Sequence, residues 1–179
     1  MKPTSLQELY VEQLNDLYDA EQQIIKALPE MIEAATSPAL KQALSEHLEV
    51  TKAQATRLEQ IFEGRGEKAK RQKCKGMQGV IAEGDDLVGD IKDADVRDAA
   101  IIASAQRVEH YEMAGYGTAR TYATLLGEDE ATQLLQTTLD EEKDADQTLT
   151  SLASKVNVDA SKGQAIAGER SSGKGKRVA

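Results

Sequence analysis

The sequence of 179 residues is poor in large aromatic side chains, with no tryptophan and one phenylalanine, and it has only three prolines. Its single cysteine, Cys74, excludes a disulfide within the chain. No apolar run approaches the roughly 20 residues that span a bilayer. The N-terminus lacks a basic region followed by an apolar run, which a secretion signal would need. We therefore expect a soluble, cytoplasmic protein without membrane contact.

The abundant residues are alanine, leucine and long charged or amide side chains, which lose little rotamer freedom in a helix. This composition predicts an all-α protein. The formal net charge of -9 is uneven, because residues 157–179 carry +3 and residues 1–156 carry -12. An acidic body repels nucleic acid. We expect no nucleic-acid partner beyond a weak contact through the basic C-terminal tail.

Apolar residues recur at helical spacing in four long segments. The first begins at a cap, Thr4 or Ser5, and ends near position 36, with a kink predicted at Pro29. The second covers about 38–63, and the short connection between the two predicts an antiparallel hairpin. The third segment ends at Leu126 and the fourth begins at about 129, and this short connection predicts a second hairpin.

A crossover of some thirty residues joins the hairpins. Residues 65–75 are strongly basic and predict an exposed connection. Lysines on either side could lower the pKa of Cys74, but without a partner thiol a redox role is the less favoured interpretation. A short amphipathic helix follows, interrupted by Gly84 and Gly89. Beyond position 156 the glycine, serine and lysine content predicts a disordered tail. The expected organisation is a bundle domain over 1–156 and a disordered basic tail over 157–179.

Each long segment places a residue of a metal-binding type on its apolar face, namely Glu21, His47, Glu109 and Glu142. Asp146, Glu112 and His110 lie beside this face. One such glutamate or histidine alone is more often solvated or an ordinary core residue. Four together are different, because burying an unpaired carboxylate costs several kcal/mol. Metal binding would remove that cost.

The distances from the hairpin loops support this interpretation. Glu21 and His47 have nearly the same offset from their loop as Glu109 and Glu142 have from theirs, as in a loose internal repeat. Carboxylates from two hairpins that meet in a bundle core can hold two transition-metal ions. Oxygen ligands suit Fe or Mn, and imidazole suits Fe. The pattern predicts a dinuclear Fe or Mn centre.

Several segments together resemble the YciE/YciF-like family of bacterial stress proteins. They are Asp16–Glu21, His47–Thr51, Lys73–Met77, Val108–Glu112 and Glu141–Lys143 with Asp146. The resemblance, over about residues 5–156, implies a ferritin-like four-helix bundle with an extra helix, a homodimer and a role in stress responses. It departs from ferritin-like di-iron sites, which use Glu-x-x-His on the second and fourth helices, and this departure could reduce the site to one ion.

The leading hypothesis is a carboxylate-bridged metal protein of the stress response, acting on O₂ or peroxide. If it is an enzyme, it is a di-metal oxidoreductase, and no catalytic residue is assigned. One alternative is a dimeric structural protein without a metal, and another is a protein that associates with DNA through its tail. Glu49, Val108 and Tyr111 are expected on outer faces where a partner helix could pack.

Overall fold

The computed structural model describes residues 2–70 and 72–172, and their side chains as far as residue 162. Every regular element in these residues is a helix. The five helices are α1 (Leu6–Ala34), α2 (Pro38–Gly64), α3 (Lys75–Gly89), α4 (Ala94–Leu126) and α5 (Asp129–Ser172). The predicted all-α class is confirmed. None of these helices is long and apolar enough to cross a membrane.

The helix starts follow the local sequence. The Ser5 side chain accepts the N–H of Glu8 at 3.2 Å, and Ser37 caps α2 with Pro38 in its first turn. Proline fits there because the first helical N–H groups have no partner within the helix. The predicted caps are therefore confirmed. The helix α1 continues through Pro29 to Ala34.

The four long helices close into a bundle. The hairpin α1–α2 packs on the hairpin α4–α5, with α1 against α4 and α2 against α5. Asp98 of α4 joins the hairpins at one end, where its carboxylate accepts the backbone N–H groups of Thr36 and Ser37, each at 2.7 Å. The predicted arrangement of two hairpins and a crossover with a short fifth helix is confirmed.

The crossover helix α3 packs against α4 and α1. A Cβ at Gly76 would lie 2.6 Å from the Tyr111 ring, and a Cβ at Gly84 would lie 3.2 Å from that of Ser104. Two glycines thus allow α3 to approach α4 closely, and α3 continues through Gly84 instead of breaking there. Val108 is only 9% exposed and Tyr111 lies under α3. Contrary to our expectation, neither residue therefore lies on an outer face open to a partner helix.

Cys74 is completely buried, so the prediction that it lies in an exposed connection is wrong. Its sulfur caps α3 by accepting the N–H of Met77 and lies 3.0 Å from the Tyr111 hydroxyl and 3.2 Å from an oxygen of Asp16. Burial raises the pKa of the thiol, although the hydrogen bond with Tyr111 acts in the opposite direction. The lysines next to Cys74 in sequence do not determine its environment.

The bundle interior contains two apolar cores. The first core includes Ile24, Leu28, Leu40, Leu44, Ile101 and Ile102, and α3 contributes Met77 to it. The second core includes Tyr10, Leu14, Leu58, Phe62, Tyr116 and Leu135. Between them lies a polar layer formed by Glu21, His47, Thr51, Gln54, Glu109, Glu112 and Glu142. The polar layer therefore crosses the middle of the bundle, at the place that the helical pattern predicted.

The C-terminal part differs from the prediction. Because α5 continues to Ser172, residues 157–172 are helical instead of disordered. Residues 173–179, which hold three of the five basic residues of the predicted tail, lie outside the described residues. The boundary between a bundle domain and a tail stays a prediction.

Candidate metal centre

Three helices bring four ligand groups together in the polar layer. Glu109 and Glu112 lie three residues apart on α4, and this spacing puts them on the same face. Glu142 approaches from α5 and His47 from α2. One ligand atom of each of these four residues lies within 4.8 Å of those of the other three. All three carboxylates are buried, and His47 is half-buried.

Glu21 of α1 lies beside this group. It is completely buried and accepts a hydrogen bond from the Tyr116 hydroxyl. Burial is the main cause that raises the pKa of Tyr116, so this hydroxyl stays a donor at neutral pH. Among the described residues, the second carboxylate oxygen of Glu21 meets no hydrogen-bonding group other than carboxyl groups of the layer. Glu21 can therefore act as a fifth ligand.

The buried carboxyl groups perturb one another. Burial raises the pKa of Glu21, Glu109 and Glu112 well above the ordinary value, and the charges of neighbouring carboxylates in the layer raise each pKa further. Burial lowers the pKa of His47, against the opposing effect of Glu142 and Glu141. Neutral imidazole is the form that binds metal. His47 Nε2 lies 3.4 Å from Glu109 Oε1.

The layer contains many unsatisfied polar atoms. Among the described residues, the only hydrogen-bonding groups that reach either oxygen of Glu112, or the second oxygens of Glu21, Glu109 and Glu142, are other carboxyl groups of the layer, and His47 Nε2 has no hydrogen-bond partner. Buried polar groups are normally paired, and an unpaired buried carboxylate is costly. A cation held by one ligand atom each of His47, Glu109, Glu112 and Glu142 would compensate the charge of the three carboxylates. Four carboxylates and one imidazole form a donor set that suits Fe or Mn.

A second set of side chains holds the ligands in place. Gln54 donates to Glu142 and, at 3.2 Å, to Glu141. Arg57 binds both oxygens of Glu141, at 2.5 and 2.6 Å. Such contacts orient ligands in metal sites. The sequence pattern places Gln54 inside the bundle without a role. It allows Tyr116 as a hydrogen-bond donor near a metal, although tyrosines at the edge of a core are commoner. The spacing of Tyr116, seven residues after Glu109, could have placed both on one face of α4.

Three of the seven predicted ligands lie outside the group of four: Glu21 lies beside it, and His110 and Asp146 lie farther away. The His110 side chain is 66% exposed and lies 3.4 Å from Asp146. Asp146 also accepts a hydrogen bond from Gln106 at 2.9 Å, at the edge of the layer. Glu21 shares the polar layer with His47, Glu109, Glu112 and Glu142. Glu112, predicted at the shoulder of its helix, lies in the centre.

Four long helices around a central carboxylate–imidazole layer, with a fifth helix in the crossover, define a ferritin-like helical bundle. The family described as "Domain of unknown function (DUF892)" matches residues 5–161, and the chain belongs to this family. It is 42% identical to protein YciF of Escherichia coli K12 over 154 residues, which are 86% of this chain and 93% of YciF. The predicted resemblance to YciF-like proteins is confirmed.

Solved structures agree with this assignment. The crystal structure of the E. coli stress protein YciF matches with a TM-score of 0.83 and 41% identity, over 86% of this chain and 98% of YciF. YcfI of Rhodopseudomonas palustris matches with a TM-score of 0.81 and 47% identity, over 82% and 94% of the two chains. A Xanthomonas campestris protein, at 19% identity and a TM-score of 0.72 over 89% and 99% of the two chains, shares the fold.

Proposed function

We propose that this chain is a metal protein of the bacterial stress response that binds Fe or Mn in the polar layer. The observation that carries the proposal is the meeting of His47, Glu109, Glu112 and Glu142, where buried carboxyl oxygens face other carboxyl groups and His47 Nε2 has no hydrogen-bond partner among the described residues. The likeness to the E. coli stress protein YciF supports the biological role. We expect two ions, acting on O₂ or peroxide.

The residues divide the work as follows. Glu109, Glu112 and Glu142 are the central carboxylate ligands, His47 is a terminal ligand, and Glu21 completes the set. Bound Fe or Mn would supply electrons for the reduction of O₂ or peroxide and would act as a Lewis acid. Tyr116 holds the carboxylate of Glu21 by donating to it. The two apolar cores flank the layer along the bundle.

The helix α2 supplies the fewest ligands. Thr51 follows His47 by one turn, but its hydroxyl donates to the carbonyl oxygen of His47 at 2.8 Å. Glu46 and Glu49 are exposed. Only the imidazole of α2 thus faces the layer among the residues that commonly bind Fe or Mn. The number of bound ions is therefore the first quantity to measure.

The experiment is metal analysis of full-length protein purified without chelator. We expect stoichiometric Fe or Mn by inductively coupled plasma mass spectrometry, and its loss in Glu109→Ala. Glu49→Ala is the matched control, because the Glu49 side chain is 72% exposed and its nearest charge is Lys52. Circular dichroism verifies that each variant folds. Less than about one-tenth of an ion per chain in the native protein, even after incubation with Fe(II) or Mn(II), overturns the proposal.

A metal-free result would favour the structural alternative, a dimeric helical module that keeps the bundle without its chemistry. The homodimer, like the cytoplasmic location, is a prediction, and sedimentation equilibrium of the full chain tests it. Weak nucleic-acid contact through the tail is tested by DNA retention at low salt, which removal of residues 162–179 should abolish because phosphate contacts are electrostatic.

A further inference from the structure

A cavity of about 360 Å³ lies between α1, α3 and α4. Such a volume is within the range of about 300–1,000 Å³ found for small-molecule sites. Its walls are mainly apolar and include Ile24, Leu28, Met31, Val80, Ile81 and Val88. The crossover helix forms one side of this space, so the cavity depends on α3 as well as on the bundle.

The cavity reaches the polar layer. His47 and Glu109 belong to its lining, and the unpaired Nε2 of His47 is among the buried atoms of the site. Ser104 also lines it and is only 4% exposed, and its hydroxyl has no hydrogen-bond partner among the described residues. An apolar pocket with a few polar groups that lack partners is the usual form of a small-molecule site.

The charges of the cavity restrict its occupant. Two exposed carboxylates, Glu30 and Asp85, are part of its lining. None of the described residues around the cavity is a lysine or an arginine. An anionic ligand would meet like charge without a compensating cation, whereas an uncharged molecule would not. The lining therefore disfavours an anionic occupant, and its mainly aliphatic walls favour an apolar body.

A second cavity, of about 290 Å³, reaches the same pair of residues from the other side. It lies between α2 and α5 and is also lined by His47 and Glu109. Its lining, however, includes the carboxylates of Glu46, Glu141 and Asp144. The two cavities therefore meet at one site. The cavity beneath α3 is larger and has fewer carboxylates in its lining, so an apolar molecule should prefer it.

We propose that the cavity between α1, α3 and α4 binds a small, uncharged organic molecule with an apolar body and one hydrogen-bonding end group. The end group bonds to Ser104 or reaches His47 and Glu109, and the body contacts the aliphatic walls. This inference rests on the proposed function for the role of the ligand as a substrate. Binding itself requires only the cavity, and it is therefore measurable in metal-free protein.

The test uses full-length protein freed of metal with chelator. The probe is N-phenyl-1-naphthylamine, whose fluorescence rises in apolar sites, and the competitors are 1-octanol and octanoate. We expect one saturable site, and displacement by 1-octanol at a concentration about tenfold or more below that of octanoate, because the lining is acidic. Ser104→Ala should lower the affinity for 1-octanol about three- to tenfold, since one hydrogen bond is lost.

Two matched substitutions locate the probe. Ala27→Phe fills the cavity from α1, whereas Ala43→Phe fills the second cavity from α2. We expect Ala27→Phe to lower probe affinity at least tenfold and Ala43→Phe to change it less than about twofold. Ile81→Trp is a second filling variant on α3, in case Ala27→Phe does not fold. Circular dichroism verifies the fold of each.

Several results would overturn the inference. They are the absence of saturable probe binding, equal competition by octanoate and 1-octanol, or an equal loss of probe affinity in Ala27→Phe and Ala43→Phe. Probe binding that appears only on dilution would mean that a second copy of the chain covers the cavity, which also contradicts it. Metal analysis of Glu109→Ala tests the proposed function separately, so either idea can fail alone.

Discussion

Replacing Glu112 by glutamine should stabilise the metal-free protein. Glu112 is completely buried, and among the described residues its only hydrogen-bonding neighbour is the carboxyl group of Glu21. Burial, followed by the charges of Glu21, Glu142 and Glu109, raises its pKa. The folded state therefore keeps a proton over a range of pH in which the unfolded chain has already released it. Glu112→Gln removes this penalty while keeping the size of the side chain.

The magnitude has an upper bound. Each pH unit above the ordinary glutamate pKa costs about 1.4 kcal/mol of folding free energy while the native group stays protonated. At pH 7.5, about three units above the ordinary value, the cost for one group therefore cannot exceed about 4 kcal/mol. Structural relaxation and water entry lower this figure. We expect Glu112→Gln to raise the free energy of unfolding by about 1–3 kcal/mol at pH 7.5.

The pH dependence of stability follows from the direction of this pKa shift. A carboxyl group whose pKa is raised on folding destabilises the protein as pH rises above the pKa of the unfolded group. The metal-free native chain should therefore be more stable near pH 5 than at pH 7.5. The advantage of Glu112→Gln over the native chain should largely disappear near pH 5. Glu21 and Glu109 keep the remaining pH dependence in the variant.

The assay is guanidinium unfolding of chelator-treated protein, followed by circular dichroism at both pH values. Glu49→Gln is the control, because this exposed side chain should change stability by less than about 0.5 kcal/mol. Adding Fe(II) or Mn(II) should stabilise the native chain more than Glu112→Gln, which lacks a ligand. A metal-free Glu112→Gln variant less stable than the native chain at pH 7.5 would refute the reasoning.

Three further perturbations test the packing. Gly76→Ala should destabilise the protein by about 1–3 kcal/mol, because its Cβ would lie 2.6 Å from the Tyr111 ring. Gly79→Ala is the control, because a Cβ there would meet open space, and it should be neutral or stabilising. Thermal unfolding measures both. Asp98→Ala should cost about 2–4 kcal/mol in urea unfolding by leaving the N–H groups before α2 unpaired, and a cost below about 0.5 kcal/mol would contradict their role. Native Cys74 should react with a thiol reagent at pH 7.5 far more slowly than the unfolded chain, and equal rates would contradict its burial.

The helical period explains what could be predicted about the site. Glu21, Glu109 and Glu142 interrupt apolar stripes, so their inward direction follows from 100° per residue. The sequence pattern placed Glu112 at the shoulder because the angle of a residue around its helix does not show how many other helices pack against that helix. The helix α4 packs on α1, α3 and α5, so its buried arc is wider than that of an outer helix. His110, on the opposite shoulder, remains exposed.

Contacts between distant segments could not be predicted from local pattern. The Cys74 sulfur meets Asp16, 58 residues earlier, and nothing in the sequence near Cys74 indicates this contact. The flanking lysines suggested the opposite chemistry. The extension of α5 beyond position 156 was missed because glycine and serine content was weighed above the helix propensity of the alanines, lysine and glutamine between them.

The polar layer also has a consequence for how the chain selects one arrangement of its helices. Apolar cores tolerate sliding, since one aliphatic side chain can replace another. A shift of α4 by one turn, about 5.4 Å, would move Glu109 into one of the two apolar cores and leave its partners behind. We expect the layer to act like a buried polar residue in a coiled coil, which penalises every register but one.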